Sequence, residues 1–239
     1  MREAILAGRR RLKRLLVAEG VREGGPIAEL EELARERNIE IAYGERRDLD
    51  ELTDGANHQG VGLETGPYRY AELDEALAVA EQRNEQPLLL LLDHLQDPQN
   101  IGTLLRTADV VGAHGVIMPD RRSASITPAV VNASAGAVEH LLIAQVTNLA
   151  QTIEELKKRE IWVAGLEDDE RAQVIDKVDL VAPLALVVGA EGAGLARLTR
   201  ERCDLLIKLP MAGHVASLNA ATAGSIALYM LWRGRAIRA

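Results

Sequence analysis

The sequence predicts an α/β protein: a small N-terminal α/β unit, then a larger, mostly parallel sheet covered by helices. Three observations carry this. From residue 87 onward, short apolar runs alternate with helical stretches, the pattern of a parallel sheet wrapped by its own crossovers. Residues 88–92 are consecutive leucines, as in a strand buried on both faces. The texture before residue 87 is different. Gly66-Pro67 breaks the chain, a polar helix follows over 71–83, and Asn84 and Pro87 end it, so 67–86 is expected as a linker between 1–66 and 87–239.

The elements follow in order. Leu12, Leu15, Leu16 and Val17 predict a short strand after a basic turn. Ile27, Leu30, Leu33 and Ala34 have helical spacing within 27–38. A strand is expected over 39–43, a short helix over 48–52, and a turn at His58-Gln-Gly60 feeding a strand. In the larger unit, strands are expected at 116–118, 141–146, 161–166, 184–188 and 205–209. Helices are expected between them at 101–111, 128–137, 149–159 and 195–202. The last helix, 219–232, is apolar almost all round, so it packs in the core or against a second subunit.

Composition narrows the function classes. The chain has 239 residues, 47% apolar and 27% charged, with no Phe and only six Trp and Tyr together. Its core is therefore aliphatic. A lone cysteine, Cys203, excludes an internal disulfide and a cysteine-cluster metal site. The five histidines are scattered, and no metal-binding spacing is legible. No signal peptide or membrane-spanning run is visible, so a cytoplasmic protein is expected. The net charge of −8 argues mildly against a dedicated nucleic-acid binder. Its distribution softens that: over residues 1–22, Arg2, Arg9, Arg10, Arg11, Lys13, Arg14 and Arg22 face only Glu3 and Glu19. Arg9, Arg10 and Arg11 are either a solvated turn or a phosphate-facing patch.

Three segments of the larger unit carry the polar chemistry. In Val188-Gly-Ala-Glu-Gly-Ala-Gly194, a buried strand runs into three glycines, which let backbone approach a ligand closely. The spacing is not that of a dinucleotide fingerprint, and no acidic residue follows at the required distance. In Leu209-Pro-Met211 running on to Ser217-Leu-Asn219, a strand ends and an apolar helix begins. Ser217 or Asn219 could cap that helix. Together with the glycine loop, backbone groups at Leu209, Met211 and Leu218 could instead line an adenosine-sized pocket. In Asp97-Pro-Gln-Asn100, followed by Arg106, Asn100 is either a cap or a loop ligand. Arg106 sits in a packed-looking stretch, where an Arg usually has a carboxylate or phosphate partner.

Asp97-Pro-x-Asn100-x-Gly102-x-x-x-Arg106-x-Ala108-Asp109, Gly189-Ala-Glu191-Gly-x-Gly194, and Leu209-Pro-Met211 with Ser217-Leu-Asn219 resemble, in order, the three motifs of the SpoU (TrmH-type) branch of the SPOUT RNA methyltransferases. Asp54-Gly-Ala-x-His58-Gln-Gly60 is similar to the end of that family's L30e-like substrate-binding domain. The resemblance implies an S-adenosylmethionine-dependent RNA 2′-O-methyltransferase whose catalytic domain carries a C-terminal trefoil knot. Among its branches, the one acting on guanosine in 23S rRNA is the expected match, with tRNA enzymes or a non-catalytic ribosome-assembly protein as alternatives. It further implies cofactor contacts at Gly189, Leu209, Leu218 and Met211. Asn100, Arg106, Glu191, Ser217 and Asn219 become catalytic positions, and a homodimer forms through the knot region. A guanidinium is effectively always charged, so for Arg106 positioning and phosphate clamping is the physically easier role.

Overall fold

The computed structural model describes residues 1–21, 24–53, 55–121, 123, 125–178, 182–214 and 217–237. Arg22 of the basic N-terminal segment and Asp54 of the substrate-domain motif lie outside the described residues. The chain divides into two compact units, Met1–Arg69 and Tyr70–Ala239.

The first unit opens with a short helix, α1 (Arg2–Ala7), which the sequence pattern does not reveal. Strand β1 (Leu12–Ala18) lies between β2 (Glu40–Gly44), parallel to it, and β3 (Val61–Thr65), antiparallel to it. Helix α2 (Gly25–Glu36) packs Leu30 and Ala34 onto this sheet, closing a core with Ile5, Leu15, Val17, Ile39 and Val61. Helix α3 (Arg46–Leu52) starts with a reciprocal cap between Glu45 and Asp48. The side chain of His58 is buried. Its Nδ1 accepts the Gly60 N–H at 3.1 Å and its Nε2 meets Asp50 Oδ1 at 3.0 Å, so this motif residue locks the turn into β3.

Helix α4 (Leu73–Arg83) lies within the stretch 67–86 expected as a linker. It buries Ala76, Leu77 and Ala80, and it belongs by its contacts to the second unit. That unit is built on seven strands: β4 (Leu88–Asp93), β5 (Gly115–Pro119), β6 (Ile143–Val146), β7 (Trp162–Leu166), β8 (Gln173–Val174), β9 (Leu184–Gly189) and β10 (Leu205–Lys208). Their order is β6-β5-β4-β9-β7-β10-β8, and every pairing is parallel. The expected strands are present, and among the described residues two-residue β8 is additional. Every residue of β4, β5 and β9 is buried, as their unbroken apolar runs require.

The helices are α5 (Pro98–Val110), α6 (Pro128–Ala133), α7 (Leu149–Lys158), α8 (Arg197–Arg202) and α9 (Ala220–Ala236). Two glycines set the close approaches that position the site. A Cβ on Gly102 of α5 would fall 2.3 Å from the Ala133 Cβ of α6. A Cβ on Gly224 of α9 would fall 2.7 Å from a Leu104 methyl on α5 and 2.9 Å from a Val188 methyl on β9. The start of α9 is thereby drawn onto the start of α5. Because the sheet is parallel, the loops after β4, β5, β7, β9 and β10 leave from one edge, where open α/β sheets place their ligands.

Candidate active site

The site is assembled from the loops at that edge. Strand β4 ends at Asp93, whose carboxylate is fully buried. Its Oδ2 accepts the Ala196 N–H at 2.7 Å and its Oδ1 meets His94 Nδ1 at 2.5 Å. One buried side chain thus ties the end of β4 to the chain leaving the glycine loop after β9. The same loop of β4 then caps α5: Asp97 accepts the backbone N–H groups of Gln99 and Asn100 at 3.3 and 3.1 Å.

Asn100 therefore does not cap α5. Asp97 does, and Asn100 in the first turn is free to reach sideways. Its Nδ2 donates to Glu191 Oε2 at 3.3 Å, and its Oδ1 accepts from Asn219 Nδ2 at 3.0 Å. Asn219 Nδ2 also donates to Glu191 Oε2, at 3.2 Å. Asn219 does cap its helix: its Oδ1 accepts the N–H groups of Ala221 and Thr222 at 3.0 and 3.1 Å. The two readings of Asn219, cap and site residue, are both true, one on each end of its amide. Residues 91 and 119 positions apart in sequence meet in one cluster.

Beside the cluster lies a cavity of about 290 Å³. Gly189, Glu191, Leu209, Met211, Ser217 and Leu218 all line it. Its back wall exists because Gly189 has no side chain: a Cβ there would lie 2.3 Å from the Gly194 carbonyl. That space lets residues 190–194 fold back, with Ala190 and Gly194 exchanging backbone hydrogen bonds at 3.1 and 2.9 Å. Gly192 and Gly194 take φ of 75° and 66°, conformations that favour glycine.

The motifs missed one wall. Leu166, Glu167 and Asp168, after β7, and Lys208, at the end of β10, also line the cavity. The acidic run Glu167-Asp168-Asp169 directly after an apolar strand was the available signal. Glu167 is held by both Nε and Nη2 of Arg200. Lys208 Nζ donates to the Asp169 carbonyl at 3.0 Å and lies 3.7 Å from Asp168 Oδ1. The Arg171 guanidinium holds the Asp169 carboxyl well below the usual carboxylate range, so this corner stays anionic. With Glu167 paired to Arg200 and Asp168 facing Lys208, Glu191 is the lining carboxylate that has no cationic partner among the described residues.

Arg106 is not brought to this cluster in its own chain. Six residues beyond Asn100 is about 240° around a helix, so the two side chains leave α5 on different faces. Arg106 is exposed and lines a shallow apolar cleft with Val110, Ile226, Tyr229 and Met230, between α5 and α9. In the N-terminal unit, the Arg10 guanidinium lies 5.5 Å from the Tyr68 ring centroid, Arg9 is half-buried, and Arg11 is exposed. Lys13 and Arg14 both pair with Glu64 at 2.8 Å. Among the described residues no group of His, Cys, Asp or Glu is arranged to hold a metal ion, and no helix is long and apolar enough to cross a membrane. Burial pushes the Cys203 thiol up to about 12, which leaves it unreactive at neutral pH.

Comparison with known proteins agrees with this geometry. Residues 87–229 match the SpoU rRNA Methylase family, and residues 2–71 match the RNA 2′-O ribose methyltransferase substrate-binding domain. The chain is 48% identical over 226 residues to Bacillus subtilis (strain 168) YacO, named for the TrmH family of tRNA/rRNA methyltransferases, covering 95% of this chain and 90% of that one. The SpoU methyltransferase AviRb from Streptomyces viridochromogenes, in complex with the cofactor AdoMet, superposes with a TM-score of 0.79 at 26% identity, over 99% of this chain and 87% of that one. An rRNA methyltransferase from Sinorhizobium meliloti gives 0.76 at 25% identity, over 97% and 84%. With two family domains in order, a relative matched along nearly its whole length, and the three motifs gathered at one sheet edge, this chain belongs to the SpoU (TrmH) family of RNA methyltransferases.

Proposed function

We propose that the protein transfers a methyl group from S-adenosylmethionine to the ribose 2′-hydroxyl of a guanosine in 23S rRNA, in the cytoplasm. The observation that carries this reading is the Asn100–Glu191–Asn219 cluster at the side of a cavity built by Gly189. The Sinorhizobium meliloti rRNA methyltransferase matches along nearly the whole chain, which favours a ribosomal substrate over tRNA.

The residues present suit S-adenosylmethionine. Backbone at Gly189, Leu209 and Leu218, with the Met211 side chain, offers a mixed polar and apolar wall, and the Glu191 carboxylate complements a sulfonium. When bound, the cofactor supplies a methyl on a positively charged sulfur, open to in-line displacement by the ribose oxygen. The chain's own residues do the rest. Asn100 keeps a second amide hydrogen to hold the ribose, and Asn219 and Glu191 fix that amide in register. Ser217, on the cavity wall, shapes the passage between cofactor and ribose. Holding the reactants in line accounts for several kcal/mol of the barrier, about 7–11 in well-oriented systems.

Arg106 comes, in this reading, from a second copy. The cleft it lines is apolar and exposed, with Val110 at 68%, Ile226 at 40% and Tyr229 at 44%. A two-fold axis there would cover both copies' α5 and α9 in a self-complementary contact. This is the homodimer through the knot region. Arg106 stays charged and clamps a phosphate of the substrate, which holds the ribose oxygen in line, and the 2′-hydroxyl proton leaves directly to an oxygen of that phosphate or to solvent water. The N-terminal unit, with Arg9, Arg10 and Arg11, reads the shape of the RNA around an unpaired ribose.

The test is incubation with methyl-labelled S-adenosylmethionine and separated 23S rRNA, 16S rRNA and tRNA from a strain lacking the enzyme. Label in 23S rRNA alone is expected. Label in tRNA alone would replace the substrate assignment, and label in none would remove the catalytic reading.

A further inference from the structure

The loop after β5 belongs to no motif, yet it stands beside the site. Strand β5 is the parallel neighbour of β4 on the side away from the cofactor cavity, so its loop leaves from the same edge. The chain leaves β5 with the Asp120 N–H on the Val146 carbonyl at 2.9 Å. Arg121 follows, exposed. Among the described residues, Arg121 makes no ion pair or hydrogen bond. The loop that presents it is nevertheless anchored. Ser123 Oγ donates to the Leu95 carbonyl at 3.1 Å, on the β4 loop that leads to Asn100. Farther on, the Ile126 N–H donates to the Tyr70 hydroxyl at 2.9 Å, and Thr127 caps α6.

An unpaired guanidinium on a pinned loop, one strand over from the ribose-holding cluster, is an anion site in a chain of net charge −8. We infer that Arg121 clamps a backbone phosphate of the substrate RNA beside the methylated nucleotide, with Ser123 as the positioning residue that fixes the loop against the β4 turn. The inference rests on RNA being the substrate. A guanidinium fork matches a phosphate better than an ammonium does, and it contributes to affinity without reading sequence.

The experiment measures binding of the full-length protein to a fluorescein-labelled hairpin RNA over a range of salt concentrations. Loss of one phosphate contact lowers the slope of log K against log salt by about 0.7–0.9. Over the decade from 1 M to 0.1 M salt, that slope is an affinity loss of about five- to eightfold at the lower salt. Arg121→Ala is expected to show that loss, equally on unrelated RNA sequences. Arg121→Lys should keep most of the slope, and Ser123→Ala should raise the KM for RNA while leaving kcat near its starting value. Calorimetric titration with S-adenosylmethionine should be unchanged in all three, which shows that the fold and cavity are intact. An Arg121→Ala protein with unaltered slope and affinity would overturn the clamp. Absence of salt-dependent binding by the unaltered protein would overturn the RNA reading itself, and the clamp with it.

Discussion

Asn219 holds two jobs at once, and two substitutions separate them. Its Oδ1 caps α9 through Ala221 and Thr222, and its Nδ2 bridges Asn100 and Glu191. Asn219→Ala removes both functions. Loss of the cap costs about 1 kcal/mol, within a range of roughly 0.5–2. For a unit of this size, that lowers the Tm by about 2–4 °C. Asn219→Asp keeps the cap, because Asp is as good at an N-cap as Asn. It replaces the bridging amide by an oxygen facing the Glu191 carboxylate, where 3.2 Å now separates donor from acceptor. The cluster must then open. If the cluster aligns the ribose, a displacement of about 1 Å costs on the order of a hundredfold in rate. The expected pattern is a Tm close to the unaltered protein for Asn219→Asp, a lowered Tm for Asn219→Ala, and a loss of about a hundredfold in single-turnover methyl transfer for both. An Asn219→Asp enzyme that keeps its rate within about threefold would refute the reasoning. It would reduce Asn219 to a cap and leave the cluster without a role in alignment.

Three further outcomes follow from the same geometry. Gly189→Ala places a Cβ 2.3 Å from backbone that cannot give way without moving the 190–194 loop, so calorimetric titration should show S-adenosylmethionine affinity falling at least about tenfold with RNA binding retained. If Arg106 acts across a dimer, inactive Arg106→Ala and inactive Asn219→Ala proteins mixed and reassembled in equal amounts should recover about a quarter of full activity, since half the dimers regain one of two sites; a mixture as inactive as its parts would place Arg106 in the same site as Asn219. His114 is buried as the neutral ring, Nδ1 accepting the Leu88 N–H at 3.0 Å and Nε2 donating to Glu85 at 3.0 Å, and burial pulls its pKa below the usual value of about 6.5. As pH falls through that value the unfolded chain gains a proton that the folded chain resists, so Tm should fall from about pH 7 to pH 5, and His114→Gln should flatten the acid limb.

Much of the site was legible because its chemistry is local in sequence. Gly189, Glu191, Leu209, Met211, Ser217 and Leu218 sit on strand ends, and a parallel sheet sends those ends to one edge. What escaped depends on contacts between distant elements. The wall formed by Glu167 and Asp168 follows from β7 lying beside β9 and β10, a strand order that no periodicity encodes. Helix α4 was legible as a polar helix, but its packing was not, because its buried face is mostly alanine. It packs closely only because Gly115 opens the space, where a Cβ would fall 2.5 Å from the Ala76 Cβ. Helix α1 is too short to show a periodic face. For Asn100 the sequence leaves cap and loop ligand both open, and the structure decides between them. Asp97 takes the cap and releases Asn100 to Glu191 and Asn219.

Nucleoside analysis most directly tests the proposal that this edge of the sheet methylates a ribose oxygen of guanosine in 23S rRNA. 23S rRNA from a strain lacking the enzyme is methylated by the purified protein with labelled S-adenosylmethionine, digested to nucleosides and separated by liquid chromatography with mass detection. The label is expected to elute as 2′-O-methylguanosine, with a peak about a hundredfold smaller for Asn219→Asp at the same early time. Label on a base, or on the ribose of a different nucleoside, would contradict it.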